Sequence, residues 1–232
     1  PVAAKRGPPL FNSAHKRTTE KTFKIIARRK NDMEKIILAS VSPRRKQILK
    51  SLGIPFYAFA PPFDEVLPEG TAGEHAAEYC AVQKAQKTFE ALCTSSRKKR
   101  YEDARFIAAA DTLIVHEGTV FGKPQNEKEA FSFLKTFSGK THSVYSGIAV
   151  YNRKTQQLLS RTCLSRVSFA PLSDDEIRRY LSLGEWRDAA GAYKIQGGAR
   201  CFICRIEGSY SSIVGLPIFE FYEILKEHKY RF

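Results

Sequence analysis

An α/β fold, a mixed twisted sheet with flanking helices, is predicted by three observations. The short apolar run Ile36-Ile37-Leu38 hands over to a helix start at Ser42-Pro43. The stretch FIAAADTLIV at 106–115 is apolar almost throughout, as a buried strand is. Two longer strand patterns, 142–151 and 158–169, lie among helical repeats, so strands and helices mix with no clear linker after residue 35.

The elements follow in order. In LASVSPRRKQIL, Ser42 stands at the N-cap and Pro43 at N1, where no amide partner is lost. Residues 54–60 suit a second strand, and Pro61, Pro62 and Pro68 force extended or turn structure around Asp64 and Glu65. Tyr79, Val82, Phe89 and Leu92 keep helical spacing within 72–94, with Lys84 near the middle and able to face inward. After the 106–115 strand, Gly122-Lys123-Pro124 leads to Asn126, which can cap a helix to Phe137 with Glu129 as its reciprocal partner. Ser173 or Asp174 opens another helix. GEWRDAAGAYKIQGGA reads as a shaped loop, 201–206 as a strand, and Pro217 to about Lys229 as the last helix.

Composition narrows the class. The 232 residues, 43% of them hydrophobic, can bury a sizeable core. No stretch approaches the roughly 18 apolar residues of a membrane span. Five cysteines fit a reducing compartment, hence a cytoplasmic location, better than a disulfide scaffold. Cys201 and Cys204 form a C-x-x-C inside an apolar run and are expected in the core. The formal charge is +14. Residues 1–34, a basic and flexible N-terminal extension or tag remnant, hold nine Lys or Arg against three Asp or Glu. Residues 35–232 form the folded domain. Basic clusters at 28–30 and 97–100 allow nonspecific nucleic-acid contact, but no zinc-finger spacing or recognition helix accompanies them.

Several residues carry chemistry. The turn at Ser42, Arg44 and Arg45 combines helix amides, a hydroxyl and two guanidinium groups, which suits a polyphosphate; an ordinary turn with solvated arginines is the alternative. Asp111 amid apolar neighbours is costly to bury unpaired. Either Thr112 and backbone amides satisfy it, or it binds a divalent cation or takes a proton from water. Glu65 supplies a second acid; Mg2+ or Mn2+ would use such oxygens and bridge substrate phosphates. Lys123, between Gly122 and Pro124, can face an anion, although GTVFGKP lacks Walker A spacing. His142 can orient a phosphate or base, or be satisfied within the sheet.

Four blocks together resemble the Maf family of nucleoside triphosphate pyrophosphatases: LASVSPRRKQIL at 38–49, AADTLIV at 109–115, GKPQNEKEAFSFLKTFSGKTHSVYSG at 122–147, and AGAYKIQG with GSYSSIVGLP at 190–197 and 208–217. The resemblance implies a fold like that of the inosine triphosphate pyrophosphatases, with a cleft between two lobes and a homodimer. It implies hydrolysis of dTTP and UTP, and of related modified pyrimidine nucleotides, to monophosphate and pyrophosphate by metal-assisted water attack. Ser42, Arg44, Arg45, Lys84 and Lys123 then bind phosphate, Asp111 and Glu65 form the metal-assisted centre, and Gln196 faces the base. GAYKIQG is similar to the dTTP/UTP branch; the branch preferring 7-methyl-GTP usually has an acid at the Gln196 position. Ala189 stands where many members carry lysine, a change expected to weaken phosphate binding or alter specificity. Ser146 replaces a common threonine and keeps its hydroxyl. The competing reading is a basic nucleic-acid-binding protein on a catalytically weak domain of this kind.

Overall fold

The computed structural model describes residues 33–62, 73–94 and 98–232. Asp64 and Glu65 lie outside the described residues. The strands are β1 (Lys35–Ala39), β2 (Phe56–Phe59), β3 (Ala104–His116), β4 (Thr119–Phe121), β5 (Thr141–Asn152), β6 (Gln157–Phe169) and β7 (Ile203–Glu207). The helices are α1 (Pro43–Ser51), α2 (Gly73–Thr94), α3 (Glu127–Phe137), α4 (Asp174–Ser182), α5 (Tyr210–Val214) and α6 (Ile218–Glu227). The sheet order is β2-β1-β3-β5-β6-β7, with β4 paired to β3. β1 pairs in parallel with β2 and β3, and the other pairings are antiparallel. The mixed α/β sheet expected from sequence is therefore present.

Period-two alternation puts a core on each face of this sheet. Ile36, Leu38, Phe106, Ala108 and Ala110 join the larger cluster, which includes Leu49 of α1, Leu134 of α3 and Ile177 of α4. Ile37, Ala39, Ile107 and Ala109 face the other way, onto Ala81, Ala85 and Leu92 of α2. Each fully buried Ile, Leu or Phe contributes about 1.5–3 kcal/mol. Asp111 continues the alternation of Ile107 and Ala109, on the face covered by α2.

Capping shows where local patterns hold. Ser173 caps α4 with a complete reciprocal box through Glu176. Asn126 caps α3 by accepting from Glu129 N–H at 3.0 Å, but Glu129 returns its carboxylate to the Gln125 N–H at 2.6 Å, one residue earlier than expected. Ser42 is the N-cap of α1, and its side chain makes no capping bond. Two expectations near the C-terminus are corrected. The strand begins at Ile203 after a short 3-10 turn over Gly198–Cys201. Cys201 and Cys204 are exposed rather than in the core: Cys201 ends the 3-10 turn before β7, and Cys204 lies on β7, the end strand of the described sheet, which is exposed from Cys204 to Glu207. The short helix α5, absent from the sequence reading, ends at Gly215, whose φ of +125° permits the turn before Pro217.

Candidate active site

A break in strand pairing opens the site. One edge of β3 is paired with β5 from Phe106 to Val115. Its other edge takes β1 over Ala104–Ala108 and β4 over Ile114–His116. Among the described residues, 109–113 therefore have no strand on that second edge, and Asp111 is at their centre. The chain leaving the C-terminal end of β1 turns into α1 beside this gap, the position where open α/β sheets place ligands.

The turn is held by its own side chains. Ser40 Oγ accepts from the Ser42 N–H at 3.1 Å and from Arg45 Nη1 at 3.3 Å. Arg45 Nε donates to the Gly215 carbonyl at 2.8 Å, fixing the guanidinium against the end of α5. Arg44 Nη2 donates to the Asp188 carbonyl at 3.3 Å. Burial pulls the Arg44 guanidinium below its ordinary pKa, and the Asp188 carboxylate opposes that shift; an arginine remains charged regardless.

Asp111 and Lys84 are both buried, with Lys84 Nζ 2.6 Å from Asp111 Oδ1. The approach of α2 that permits this pair depends on Gly147, the residue of β5 opposite Asp111. A Cβ on Gly147 would overlap the Ala77 carbonyl of α2. Next along β3, Thr112 Oγ1 lies 3.0 Å from Ser146 Oγ, which donates to the Ser212 carbonyl at 2.7 Å. Since the Ser146 proton is used there, Thr112 is the donor to Ser146. This hydroxyl chain ties β3 to α5, and Ser146 keeps the role expected of a hydroxyl.

The opposite wall comes from β4 and the loop after α4. The Gly122 carbonyl accepts from the Gly191 N–H at 2.9 Å, which locks the Lys123 turn to residues 190–192. Gly191 has φ +65°, and a Cβ there would come 2.6 Å from Ile114 Cδ1. Further on, the Lys194 N–H donates to Tyr180 Oη at 3.2 Å, and Glu185 Oε2 accepts from the Gly198 N–H at 2.8 Å. These bonds bracket Gln196. A Cβ on Gly197 would meet the Glu185 carboxylate and push it off its bond to the Gly198 N–H.

The resulting cleft has a volume of about 530 Å³ and brings together Ser42, Arg44, Arg45, Lys84, Asp111, Lys123 and Gln196. Glu65 lies outside the described residues. His142 is not brought to the cleft. It is 2% exposed, stacks at 4.3 Å on Phe137, and sits 2.9 Å from Tyr193 Oη through Nε2. Burial first, and the charge of His116 second, push its pKa down to about 3. A neutral imidazole in an aromatic cluster offers no cation to a phosphate; it supports Tyr193, which lines the cleft. Sequence reasoning missed Asp188, Tyr193, Lys194 and the Glu185 anchor. The signal was the glycine-rich loop itself, which marked a shaped segment without saying what it met. A neighbouring, shallower hollow of about 660 Å³ shares Ile195 and Gln196 but contains neither Asp111 nor the cluster of cations.

Among the described residues, no group of three His, Cys, Asp or Glu side chains could hold a metal on its own. Asp111 is a single hard oxygen donor beside a polycationic cleft. That donor set fits a divalent cation that shares its coordination with substrate phosphates and water.

The protein-family model described as "Maf-like protein" matches residues 35–228. The chain is 44% identical to a dTTP/UTP pyrophosphatase of Treponema denticola, over 86% of this chain and 99% of the relative. Similar proteins with the same description occur in Clostridium acetobutylicum, 41% identical over 82% of this chain and 96% of the relative, and in Geobacter metallireducens, 40% identical over 83% and 95%.

Proposed function

The chain belongs to the Maf family, and from that premise we propose that it hydrolyses dTTP and UTP to the nucleoside monophosphate and pyrophosphate. The observation that carries this reading is the meeting of Asp111 with Arg44, Arg45, Lys84 and Lys123 in one cleft that Gln196 also lines. The relatives described as dTTP/UTP pyrophosphatases support the choice of substrate.

In the proposed reaction a water oxygen bonds to the α-phosphorus while the bridging bond to the β-phosphate breaks. Asp111 accepts the water proton. Lys84 occupies Oδ1, which leaves Oδ2 for that task and compensates the buried charge. The guanidinium groups of Arg44 and Arg45 and the ammonium of Lys123 offset negative charge as it builds on the departing pyrophosphate. Ser42, whose hydroxyl makes no capping bond, adds a donor. Mg2+ or Mn2+, held by Asp111 and by Glu65, would supply charge neutralisation and a more acidic water. The five free cysteines support our reading that this enzyme works in a reducing compartment, the cytoplasm.

The test is a panel of nucleoside triphosphates with Mg2+ or Mn2+, scored for pyrophosphate against orthophosphate, on the native chain and on Asp111→Asn. Native protein should release pyrophosphate from UTP and dTTP. The Asn variant, equal in size, should fold and lose at least about 10²-fold in turnover. Orthophosphate as first product would reject the bond assignment. Full activity in the folded variant would remove Asp111 from the chemistry. Nucleic-acid retention with no turnover on any nucleotide would favour the basic binding protein instead.

A further inference from the structure

We propose that Lys194 is a further substrate-binding residue, whose ammonium holds the polyphosphate tail of the nucleotide in the cleft; this rests on the reading that the cleft takes a nucleoside triphosphate. Lys194 is half-buried in the cleft wall, and its backbone is fixed by the bond to the buried Tyr180 hydroxyl. Its ammonium has no hydrogen-bond or acidic partner among the described residues. The other deep cations of the cleft are already engaged with protein: Lys84 with Asp111, Arg45 with the Gly215 carbonyl and Ser40, Arg44 with the Asp188 carbonyl. Lys123 is exposed at the rim. A lysine in the cleft wall with no acidic partner leaves its positive charge and its donors available to an incoming anion.

Position and chemistry both point to phosphate rather than to base. The wall from Asp188 to Gln196 carries one cation, Lys194; Ala189 and Ala190 bring only methyl groups. Lysine offers donors and no acceptor. A uracil or thymine ring presents an N3–H donor as well as carbonyl acceptors and is uncharged at neutral pH, so an ammonium can match only part of its edge. A polyphosphate presents acceptors and negative charge throughout.

The experiment compares native protein with Lys194→Met, which keeps the aliphatic stem, and Lys194→Arg, which keeps the charge. Steady-state kinetics on UTP are paired with calorimetric binding of inorganic tripolyphosphate, UMP and uridine. The Met variant should raise KM for UTP and Kd for tripolyphosphate by roughly tenfold or more. It should change uridine binding by less than about twofold, with UMP between, and leave the melting temperature unchanged. The Arg variant should recover most of the loss. Unchanged tripolyphosphate affinity in the Met variant overturns the proposal, and so does an equal loss for uridine and tripolyphosphate. If native protein turns over no nucleotide, the enzymatic reading has failed; the tripolyphosphate titration still decides for or against Lys194 as an anion ligand.

Discussion

At the scale of single residues, we propose that Gln196 carries the choice of base. Its amide offers a donor and an acceptor, matching the O4 acceptor and N3–H donor shared by uracil and thymine. Cytosine presents the opposite pair. A free amide could rotate to suit either, so discrimination needs a loop that fixes it, and the Glu185–Gly198 bond at 2.8 Å supplies one anchor. Leaving a buried polar group unpaired costs about 1–3 kcal/mol. Native kcat/KM for UTP and dTTP should therefore exceed that for CTP by at least about tenfold. Gln196→Glu loses the amide donor and should lower UTP and dTTP use by a similar factor. Measuring kcat/KM across UTP, dTTP, CTP and GTP checks both statements, and a native preference for CTP or GTP would sink the assignment.

At the scale of elements, the geometry of the Lys84–Asp111 pair, proposed as catalytic, depends on how closely α2 lies against β3 and β5. Lys84 reaches Asp111 because Gly147 lets the backbone of α2 approach at Ala77. Its Cβ would meet backbone, which cannot rotate away as a flexible side chain can. Gly147→Ala should therefore push the helix outward, costing about 1–3 kcal/mol of stability and separating the Lys84–Asp111 pair. Denaturant unfolding and kcat on UTP should fall together. An alanine variant with native stability and native kcat would show that the close approach is not needed.

At the scale of the whole molecule, the formal charge of +14 divides unevenly. Residues 1–32 hold nine Lys or Arg against two acids, Glu20 and Asp32. The folded body begins before residue 35: Met33 packs on the larger core, and the Glu34 carbonyl accepts from Tyr230 Oη at 2.7 Å. We accordingly propose that the folded domain includes Met33 and Glu34. The homodimer is likewise proposed, supported by Phe219 and Tyr222 exposed on α6 with Phe232 beside them. Deleting residues 1–32 should leave UTP turnover and the dimer mass seen by light scattering unchanged, while RNA retention at low salt drops. Loss of most turnover in a folded, shortened chain would assign part of the site to those residues.

The sequence by itself determined the mixed α/β order and the β1–α1 turn with its candidate anion ligands, while Lys84 and Gln196 entered the site through the family resemblance alone. The order and the turn follow from local rules: a period of two or 3.6 residues, a serine before a proline, glycines where the chain must turn. The ordered Maf blocks added the family. What only the tertiary structure decided is which side chains meet. Lys84 and Asp111 are 27 positions apart, and Gly147 decides their distance from a third element. His142 and Tyr193 are 51 apart, and the aromatic cluster around them decides between the two readings of His142, leaving it a neutral histidine satisfied within the fold. Cys201 and Cys204 lie in a run as apolar as a core strand, but Cys201 falls in the turn before β7 and Cys204 on the exposed end strand of the described sheet. Local sequence sets which face a residue takes along its own strand or helix; sheet order and register set what that face encounters, since those depend on burial summed over the whole chain.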